Sequence, residues 1–199
     1  MFCGDGIVFV IGGGVVGAGA ALDAATRGLK VALVEARDLA SGTSSRSSKM
    51  FHGGLRYLEQ LEFGLVREAL HERELSLTTL APHLVKPLPF LFPLTQRWWE
   101  RPYVAAGIFL YDQLGGAKSV PAQKHLFRAG ALRLAPGLKR SSLVGGIRYF
   151  DTVVDDARHT MTVARTAAHY GAVVRTSTQV VSLLREGDRV IGVRVRDSE

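Results

Sequence analysis

Three glycines at fixed spacing are the residues of this sequence best suited to hold a ligand. Gly12, Gly14 and Gly17 form a Gly-x-Gly-x-x-Gly motif between an apolar run and an Ala-rich segment. In such a motif the first glycine permits a tight turn, the second lets backbone approach a pyrophosphate, and the third lets a helix pack closely on a strand. The N-terminus of the following helix offers free N–H groups to the phosphates. The spacing therefore predicts a dinucleotide-binding loop.

An acidic residue lies at the distance that this loop requires. Glu35 follows Gly12 by 23 residues, close to the separation of about 20 that is typical of dinucleotide-binding units. Its carboxylate can accept hydrogen bonds from ribose hydroxyls, and its charge would repel a 2′-phosphate. NADP is therefore disfavoured, and NAD and FAD remain as alternatives.

A second cluster of polar residues lies in the segment SSRSSKMFHGGLRYL. Its hydroxyl groups can donate to phosphates or to the edge of a flavin, and they belong to Ser44, Ser45, Ser47 and Ser48. Gly53 and Gly54 would admit a flat ring close to the backbone, and Arg56 offers a forked cation for a phosphate or carboxylate. The serine-rich stretch is either a flexible linker or a functional loop. Its place between ordered segments favours the loop.

The elements that must position these residues alternate between strand and helix. Residues 7–11 (IVFVI) predict a strand buried on both faces, residues 15–26 a helix that ends before Gly28, and residues 30–35 a second strand. This is a strand–helix–strand unit of the expected length.

Further elements follow along the chain. We predict helices over residues 62–80, over residues 103–114 up to Gly115-Gly116, and from the cap Asp155 through Ala168. The proline-rich residues 87–94 predict an extended edge strand. Further strands are predicted at residues 146–151, 172–176, 179–185 and 189–196.

Composition limits the class of protein. The 199 residues are 47% hydrophobic and 22% charged, which is an ordinary globular balance. A single cysteine excludes an internal disulfide, and no metal-ligand cluster, signal peptide or spanning helix is evident. The net charge of +7 is spread without long Lys/Arg runs, which favours a solvated basic surface, or a phosphorylated ligand, over nucleic-acid binding.

One family accounts for all of these segments together. The sequence GGGVVGAGAALDAATRGLKVALVEARDLASGTSSRSSKMFHGGLRYLE resembles the N-terminal portion of FAD-dependent glycerol-3-phosphate dehydrogenase, the respiratory, quinone-linked enzyme. The resemblance continues through LVREALHERELSLTTLAPHLVKPLPFLFPL, GIFLYDQLG and YFDTVVDDARHTMTVARTAAHYGA. The string HGGLRYLE with the serines before it is the most specific part.

The resemblance implies a fold and a domain organisation. It implies an α/β, FAD-binding Rossmann-like domain of the glutathione-reductase type, interrupted by the start of a substrate domain. Residues 1–80 would open the FAD domain, residues 81–150 would belong to the substrate domain, and residues 151–199 would continue the FAD domain. Because the sequence stops directly after a strand, we expect a truncated, N-terminal portion of a longer protein.

The resemblance also implies roles for individual residues. Gly12, Gly14 and Gly17 would hold the FAD pyrophosphate, Glu35 the adenosine ribose, and the backbone of Val180 the adenine. The loop that wraps the cofactor would contribute Thr43, Ser44, Ser45, Ser48 and Lys49. His52, Gly53 and Gly54 would pass near the flavin ring. Arg56 and Tyr57 would hold the substrate phosphate.

The implied reaction is oxidation of sn-glycerol 3-phosphate to dihydroxyacetone phosphate, with the hydride passing to flavin N5 and the electrons to quinone. The general base is expected beyond Glu199, and neither His52 nor His159 is assigned to that role. The implied partners are the substrate, quinone, a membrane surface and a second copy of the chain as a homodimer, but no nucleic acid. The implied location is the cytoplasm or the cytoplasmic face of the inner membrane. The alternatives are glycerol-3-phosphate oxidase, an amine or amino-acid oxidase, and a non-catalytic FAD-binding fragment.

Overall fold

A computed structural model describes residues 2–3, 6–95, 99–114 and 119–197. In chain order its strands are β1 Phe2–Cys3, β2 Ile7–Ile11, β3 Lys30–Val34, β4 Met50–Phe51, β5 Val85–Leu94, β6 Lys124–Phe127, β7 Gly145–Val154, β8 Val173–Arg175, β9 Thr178–Glu186 and β10 Arg189–Asp197. Its α-helices are α1 Val15–Thr26, α2 Phe63–Leu75, α3 Glu100–Leu114, α4 Arg128–Leu134 and α5 Asp156–His169. The predicted helix stop at Gly115-Gly116 lies outside the described residues.

The chain divides into two compact units. The first consists of Met1–Lys49 and Asp155–Glu199, and the second of Met50–Val154. Residues 50–80, predicted to lie with the N-terminal segment, therefore pack with residues 81–154. The return to the first unit occurs at Asp155, close to the predicted residue 151. The assignment of these segments to cofactor and substrate domains stays a prediction.

A parallel sheet and two helices form the core of the first unit. The sheet has the order β2-β3-β8, with Ile7 opposite Lys30 and Ala32 opposite Val173. Helices α1 and α5 pack together through small side chains and cover the sheet, with buried contacts from Ala18, Ala21, Ala25, Leu33, Ala164 and Ala167. Alanines at a helix interface let the two helix axes approach closely. The predicted strand–helix–strand unit is thus present.

Strands β2 and β3 differ from each other in burial. β3 is buried on both faces at Val31, Ala32, Leu33 and Val34. β2, which was predicted to be buried on both faces, is not, because it lies at the edge of the described sheet and leaves Val8 37% and Ile11 57% exposed. That prediction is therefore wrong for β2, although its position in the sequence is correct.

A second sheet completes the first unit. β10 lies between β1 and β9 and is antiparallel to both. β9 and β10 form the predicted hairpin, whose turn contains Gly187 at φ +57°. The short β1 has no sequence signal of its own and is defined by its pairing with Val193 and Gly192.

The second unit is built around one long strand. β7 pairs with β5 along its whole length on one side, while β4 and β6 pair with its two ends on the other. The predicted strand at residues 146–151 is thus longer than expected. The short elements β4, β6 and α4 were not predicted, because segments of two to seven residues carry little periodicity.

The prolines of β5 explain why it can only be an edge strand. Pro87, Pro89 and Pro93 are separated by even numbers of residues, so their ring nitrogens all face the same side of the strand. Proline has no N–H to donate, yet the pairing with β7 is uninterrupted from Val85 to Leu94. The prolines must therefore face the outer edge, and the alternate residues, including Lys86, donate to β7. This confirms the predicted edge strand.

Helix α2 continues into an irregular last turn. The sequence predicted one helix over residues 62–80, whereas the α-helix ends at Leu75 and a wider π-helical turn covers Ser76–Leu80. The N–H of Ala81 donates to the carbonyl of Ser76 at 3.0 Å, which closes this turn. Among the described helices, none combines the length and apolarity needed to cross a membrane.

The alternation in β5 gives a stability prediction. Lys86→Pro removes an N–H that donates to β7, so we expect a loss of about 1–3 kcal/mol in the free energy of unfolding. Lys86→Ala keeps the N–H and changes only an exposed side chain, so its effect should stay within about 0.5 kcal/mol. Urea unfolding of the purified chain measures both values. Equal stability of the two variants would contradict the inferred direction of the β5 hydrogen bonds.

Candidate functional site

The glycine loop has the close packing that its motif predicted. Gly12 has φ +110°, and its N–H donates to the carbonyl of Val34 at 2.8 Å. A Cβ atom on Gly17 would collide with the carbonyl oxygen of Gly12, which is backbone and cannot move aside. The first turn of α1 therefore lies directly against the end of β2. This arrangement leaves the N-terminus of the helix next to the loop.

Glu35 is fixed against this loop. Its carboxylate accepts the N–H of Gly13 at 2.7 Å through one oxygen and the N–H of Arg37 at 2.8 Å through the other. An ionised carboxylate has about four acceptor positions, so roughly two remain for ribose hydroxyls. The structure thus shows Glu35 beside the glycine loop, and its ribose-binding role stays a prediction.

Gly13 is a site residue that the motif did not identify. A Cβ atom there would lie 2.8 Å from Leu39 Cδ2 and 2.9 Å from Glu35 Cβ. Only glycine lets the loop approach Glu35 this closely. The run of three consecutive glycines was the available signal, but the motif assigns roles only to the first and third of them.

Ser44 connects the serine-rich loop to helix α1. The N–H of Val15, in the first turn of α1, donates to Ser44 Oγ at 2.9 Å. A Cβ atom on Gly14 would lie 3.0 Å from the same oxygen. The hydroxyl accepts one hydrogen bond here and keeps its own proton to donate. Ser44 can therefore bridge the helix N-terminus and a phosphate.

The end of the loop is held by Ser47, whose hydroxyl bonds within the protein rather than standing open as the phosphate or flavin donor that the sequence suggested. Thr43–Ser45 form a single helical turn, while Ser48 and Lys49 are exposed. Ser47 donates to Asp156 at the start of α5 through its hydroxyl at 2.8 Å and its N–H at 3.2 Å. Its oxygen also accepts the N–H of Lys49 at 2.9 Å. Ser47 thus fixes the end of the loop.

The contact with Ser47 lowers the pKa of the Asp156 carboxyl group. Desolvation acts to raise the pKa of its carboxyl group, but the hydrogen bonds from Ser47 and Ala157 and the charge of Lys49 outweigh it and hold the pKa below its usual value of 3.8. The next residue back, Asp155, caps α5 as predicted by accepting the N–H of Arg158 at 3.1 Å.

Val180 lies in strand β9 of the first unit. It pairs with Val195, next to an irregularity in the pairing with β10. β9 is an edge strand of the described sheet. Its outer edge therefore presents backbone N–H and C=O groups at alternate residues. These groups are suited to the predicted contact with adenine, which stays a prediction.

The two glycines of the second cluster are constrained by their own unit. Gly54 adopts the left-handed conformation at φ +68°, and a Cβ atom there would collide with the ring of Tyr57. A Cβ atom on Gly53 would collide with Leu70 and would lie 2.9 Å from the hydroxyl of Tyr111. Both glycines are buried, whereas His52 is exposed. Internal packing therefore requires these glycines even before a flavin ring is considered.

Arg56 and Tyr57 are the two central residues of a short helical turn, Leu55–Leu58. The Arg56 guanidinium lies 5.7 Å from the centre of the Tyr57 ring. Arg56 is exposed, and no carboxylate among the described residues pairs with it. The two predicted phosphate-binding residues thus lie side by side, and the Arg56 guanidinium is available to bind an anion.

No sequence pattern predicted the buried polar chain beside Gly53, a series of hydrogen-bonded polar groups. The N–H of Gly53 donates to the Tyr111 hydroxyl at 2.7 Å, this hydroxyl donates to Asp151 at 2.8 Å, and Asp151 forms an ion pair with Arg73 at 2.8 Å. The three side chains come from α3, β7 and α2, so no local pattern joins them. In the part of the chain that the structure describes, no group of His, Cys, Asp or Glu could hold a metal ion.

The packing of Gly17 gives a prediction with a matched control. Gly17→Ala places a methyl group on the Gly12 carbonyl, so we expect a loss of at least about 2 kcal/mol in the free energy of unfolding. Gly19, on the same helix, has open space at its Cβ position. Gly19→Ala should therefore stabilise by about 0.5–1 kcal/mol. Thermal and urea unfolding test both; an unchanged stability of Gly17→Ala would refute the close approach.

The Ser47–Asp156 contact gives a pH prediction. Because the folded pKa of Asp156 is lowered, this contact stabilises the loop above about the ordinary value of 3.8 and is lost as the pH falls through the lowered value. Amide hydrogen exchange of residues 41–49, corrected for intrinsic rates, should show less protection at pH 3 than at pH 6.

Two variants serve as controls for this experiment. Ser47→Ala should lack the extra protection at pH 6, because it removes the hydroxyl that Asp156 accepts. Ser182→Ala, at an exposed position of β9, should behave like the unchanged chain. The same pH step in Ser47→Ala and in the unchanged chain would show that another group controls the loop.

Comparisons with known proteins identify similar sequences. A glycerol-3-phosphate dehydrogenase of Mycobacterium leprae is 93% identical over 192 residues, which cover 96% of this chain and 33% of that protein. Glycerol-3-phosphate dehydrogenase 2 of Mycobacterium tuberculosis (strain H37Rv) is 92% identical over the same lengths. The chain thus spans about a third of the length of the curated relatives it matches.

A solved structure gives the same result. The glycerol-3-phosphate dehydrogenase of Bacillus halodurans, described as complexed with FAD, superposes with a TM-score of 0.67 at 31% identity. The match covers 96% of this chain and 30% of that one. The predicted resemblance and the predicted α/β flavoprotein fold are confirmed, whereas the roles of individual residues stay predictions.

The family as a whole is fixed by a match along almost the entire sequence. Residues 8–199 fit the family described as FAD dependent oxidoreductase. The predicted cofactor class is confirmed with it, and NAD, which the glycine motif had left open, is set aside. The chain therefore belongs to the FAD dependent oxidoreductase family.

Proposed function

We propose that the protein to which this chain belongs oxidises sn-glycerol 3-phosphate at its C2 hydroxyl to dihydroxyacetone phosphate. The observation that carries the proposal is the 93% identity to a glycerol-3-phosphate dehydrogenase over 96% of the chain. That stretch includes the glycine loop, Glu35 and the segment HGGLRY. Because the chain spans a third of that relative, the activity is proposed for a protein that contains this chain.

The residues of the first unit fit an FAD molecule. The turn at Gly12 and the close approach at Gly17 leave the N-terminus of α1 next to the loop, as a pyrophosphate requires. Ser44 has a hydroxyl proton free to donate at the same place. Glu35 retains acceptor positions for a ribose. We propose that Thr43, Ser45, Ser48, Lys49 and the backbone of Val180 complete the cofactor contacts.

The predicted site residues of the second unit are proposed to orient the substrate and to lie near the flavin. Bound FAD supplies the hydride acceptor, so the protein must hold the C2 carbon in place and exclude competing reactions. Arg56 is suited to bind the phosphate because a guanidinium donates two parallel hydrogen bonds to an oxyanion. The Tyr57 ring lies beside this cation, with 5.7 Å between the guanidinium carbon and the ring centre. His52, Gly53 and Gly54 are proposed to lie near the flavin ring.

Proton removal from the C2 hydroxyl requires a base. His52 is exposed and, among the described residues, has no carboxylate within ion-pair distance to orient it. We therefore assign it no catalytic role and propose that the base comes from residues beyond Glu199. This part of the proposal rests on the resemblance to the family.

The proposal extends to partners and location. A quinone is the proposed electron acceptor, as the resemblance implies. Contact with anionic lipid is supported by the net charge of +7, and the cytoplasmic face of a membrane is the proposed place of action. We propose that the protein assembles as a homodimer. Nucleic-acid binding is not proposed.

The cofactor is tested on the chain itself. The purified chain, mixed with FAD and passed through a desalting column, should retain the visible absorption bands of bound flavin. Ser44→Ala should weaken retention, because it removes the donor at the helix N-terminus, whereas Ser182→Ala should not. A colourless wild-type chain would show that these residues do not suffice to hold FAD.

The substrate is tested on the protein expressed from its complete reading frame. Arg56→Met should raise the KM for glycerol 3-phosphate by about 10- to 100-fold, as expected for the loss of a hydrogen-bonded charge. Arg67→Met, an exposed change on α2, is the matched control and should leave KM unchanged. Dye reduction measures the rates, and peroxide formation would reveal oxygen as the acceptor instead of quinone. An unaltered KM in Arg56→Met would refute the phosphate-binding role.

A further inference from the structure

The buried polar chain beside Gly53 is unusual in where it ends. It starts from a charged pair, Arg73 and Asp151, whose side chains are 2% and 7% exposed. It passes through Tyr111, which is 1% exposed, and ends on a backbone N–H of the turn that precedes Arg56. Three side chains from three separate elements are therefore joined in series to one backbone N–H.

The direction of each hydrogen bond in this chain is fixed. The Gly53 N–H can only donate, so the Tyr111 oxygen accepts from it. An ionised Asp151 can only accept, so the Tyr111 proton points to it. Burial, followed by the charge of Asp151, raises the pKa of Tyr111, so the phenol keeps this proton at all ordinary pH values. The hydrogen bonds from Gly53 through Tyr111 to Asp151 therefore have one direction only, which cannot reverse.

Stability alone does not account for such an arrangement. A buried ion pair contributes little net stability, because desolvation of both charges offsets their attraction. The pair also leaves Arg73 Nε buried with no hydrogen-bond partner among the described residues. Asp112 adds a third charge nearby, and its pKa is raised by burial although Arg73 counteracts the shift. The cost of these groups favours a role in fixing geometry.

The geometry that they fix is the start of the turn that carries Arg56. Gly53 is followed by Gly54 in the left-handed conformation, and the N–H of Tyr57 donates to the Gly54 carbonyl at 2.7 Å. The orientation of the Gly53 peptide therefore sets the direction in which the turn Leu55–Leu58 begins. Arg73 also lines a cavity of about 330 Å³ together with His52, the residue before Gly53.

We propose that Tyr111, Asp151 and Arg73 are positioning residues that act through the Gly53 peptide to orient Arg56 toward the substrate phosphate. This inference rests on the proposed function, because it assumes that Arg56 binds that phosphate. The three residues do not touch the substrate. Removing the link should therefore weaken substrate binding through Arg56 and leave the cofactor in place.

The test uses the FAD-loaded protein expressed from its complete reading frame. Tyr111→Phe keeps the ring and removes the hydroxyl, so the KM for glycerol 3-phosphate should rise roughly two- to tenfold, the effect of losing the one hydrogen bond that links Tyr111 to the Gly53 N–H. The flavin absorption spectrum and kcat should change little. Tyr103→Phe is the matched control, since it lies on the same helix with its side chain 57% exposed, and it should leave KM unchanged.

A double-mutant cycle separates positioning from a purely structural role. If Tyr111 acts through Arg56, Tyr111→Phe should have no further effect on KM when Arg56→Met is already present. Multiplying effects would mean that Tyr111 acts independently of Arg56 and would overturn the proposal. A Tyr111→Phe variant with the KM of Tyr103→Phe would overturn it as well, while leaving the proposed function standing.

A second variant covers the case in which Tyr111→Phe does not fold. The double variant Arg73→Met/Asp151→Leu removes both charges together, so that no buried charge stays unpaired, and it deprives Tyr111 of its acceptor. It should show the same rise in KM and the same dependence on Arg56, and an unchanged KM would refute the inference. If the unaltered protein fails to oxidise glycerol 3-phosphate, the proposed function and this inference both fall.

Discussion

The approach of helix α1 to the end of strand β2 is the constraint on which the first unit depends. Gly17 faces the Gly12 carbonyl so closely that no side chain fits between them. This approach brings the free N–H groups of the first helical turn to the end of the parallel strands, where a pyrophosphate can bind. The other contacts of the loop follow from it. Glu35 reaches the N–H of Gly13, and the Ser44 hydroxyl reaches the N–H of Val15, because the loop has no side chains that would keep them away.

The same residues therefore serve the fold and the proposed cofactor site. Glu35 stabilises the loop through two backbone N–H groups and still has acceptor positions for a ribose. Ser44 accepts an N–H of the first turn of α1 and still has a proton to donate. Ser47 attaches the loop to Asp156 of α5, and together with the bond from Ser44 to α1 this connects the loop to both helices of the core. Such dual use means that the site is already ordered by internal contacts, which lowers the entropy lost when a ligand binds.

In the second unit, a glycine-containing turn is also fixed by internal contacts, but through buried polar groups. Its turn at Gly53 and Gly54 is fixed by packing against Leu70 and by a buried chain of polar groups that begins at Arg73. Buried charges cost free energy unless they are paired and hydrogen-bonded. Here the pairing also fixes the acceptor for one backbone N–H. The long strand β7 is central to this arrangement, because it carries Asp151 and pairs with β4, β5 and β6. The prolines of β5 end the sheet on its outer side.

The sequence by itself determined the elements with strong periodicity and the residues with local signals. The bounds of α1 and β2, the Asp155 cap, the edge strand with its prolines and the glycine loop with Glu35 could all be predicted, because each depends on neighbours close in the chain. The segment HGGLRY indicated the family. Only the tertiary structure showed that β2 lies at an edge of the described sheet, that Gly13 must be glycine to approach Glu35, and that Ser47 contacts Asp156. It alone joined Arg73, Tyr111 and Asp151 to Gly53, because these residues are up to 98 positions apart in the sequence and no local pattern reports a contact between side chains from separate elements.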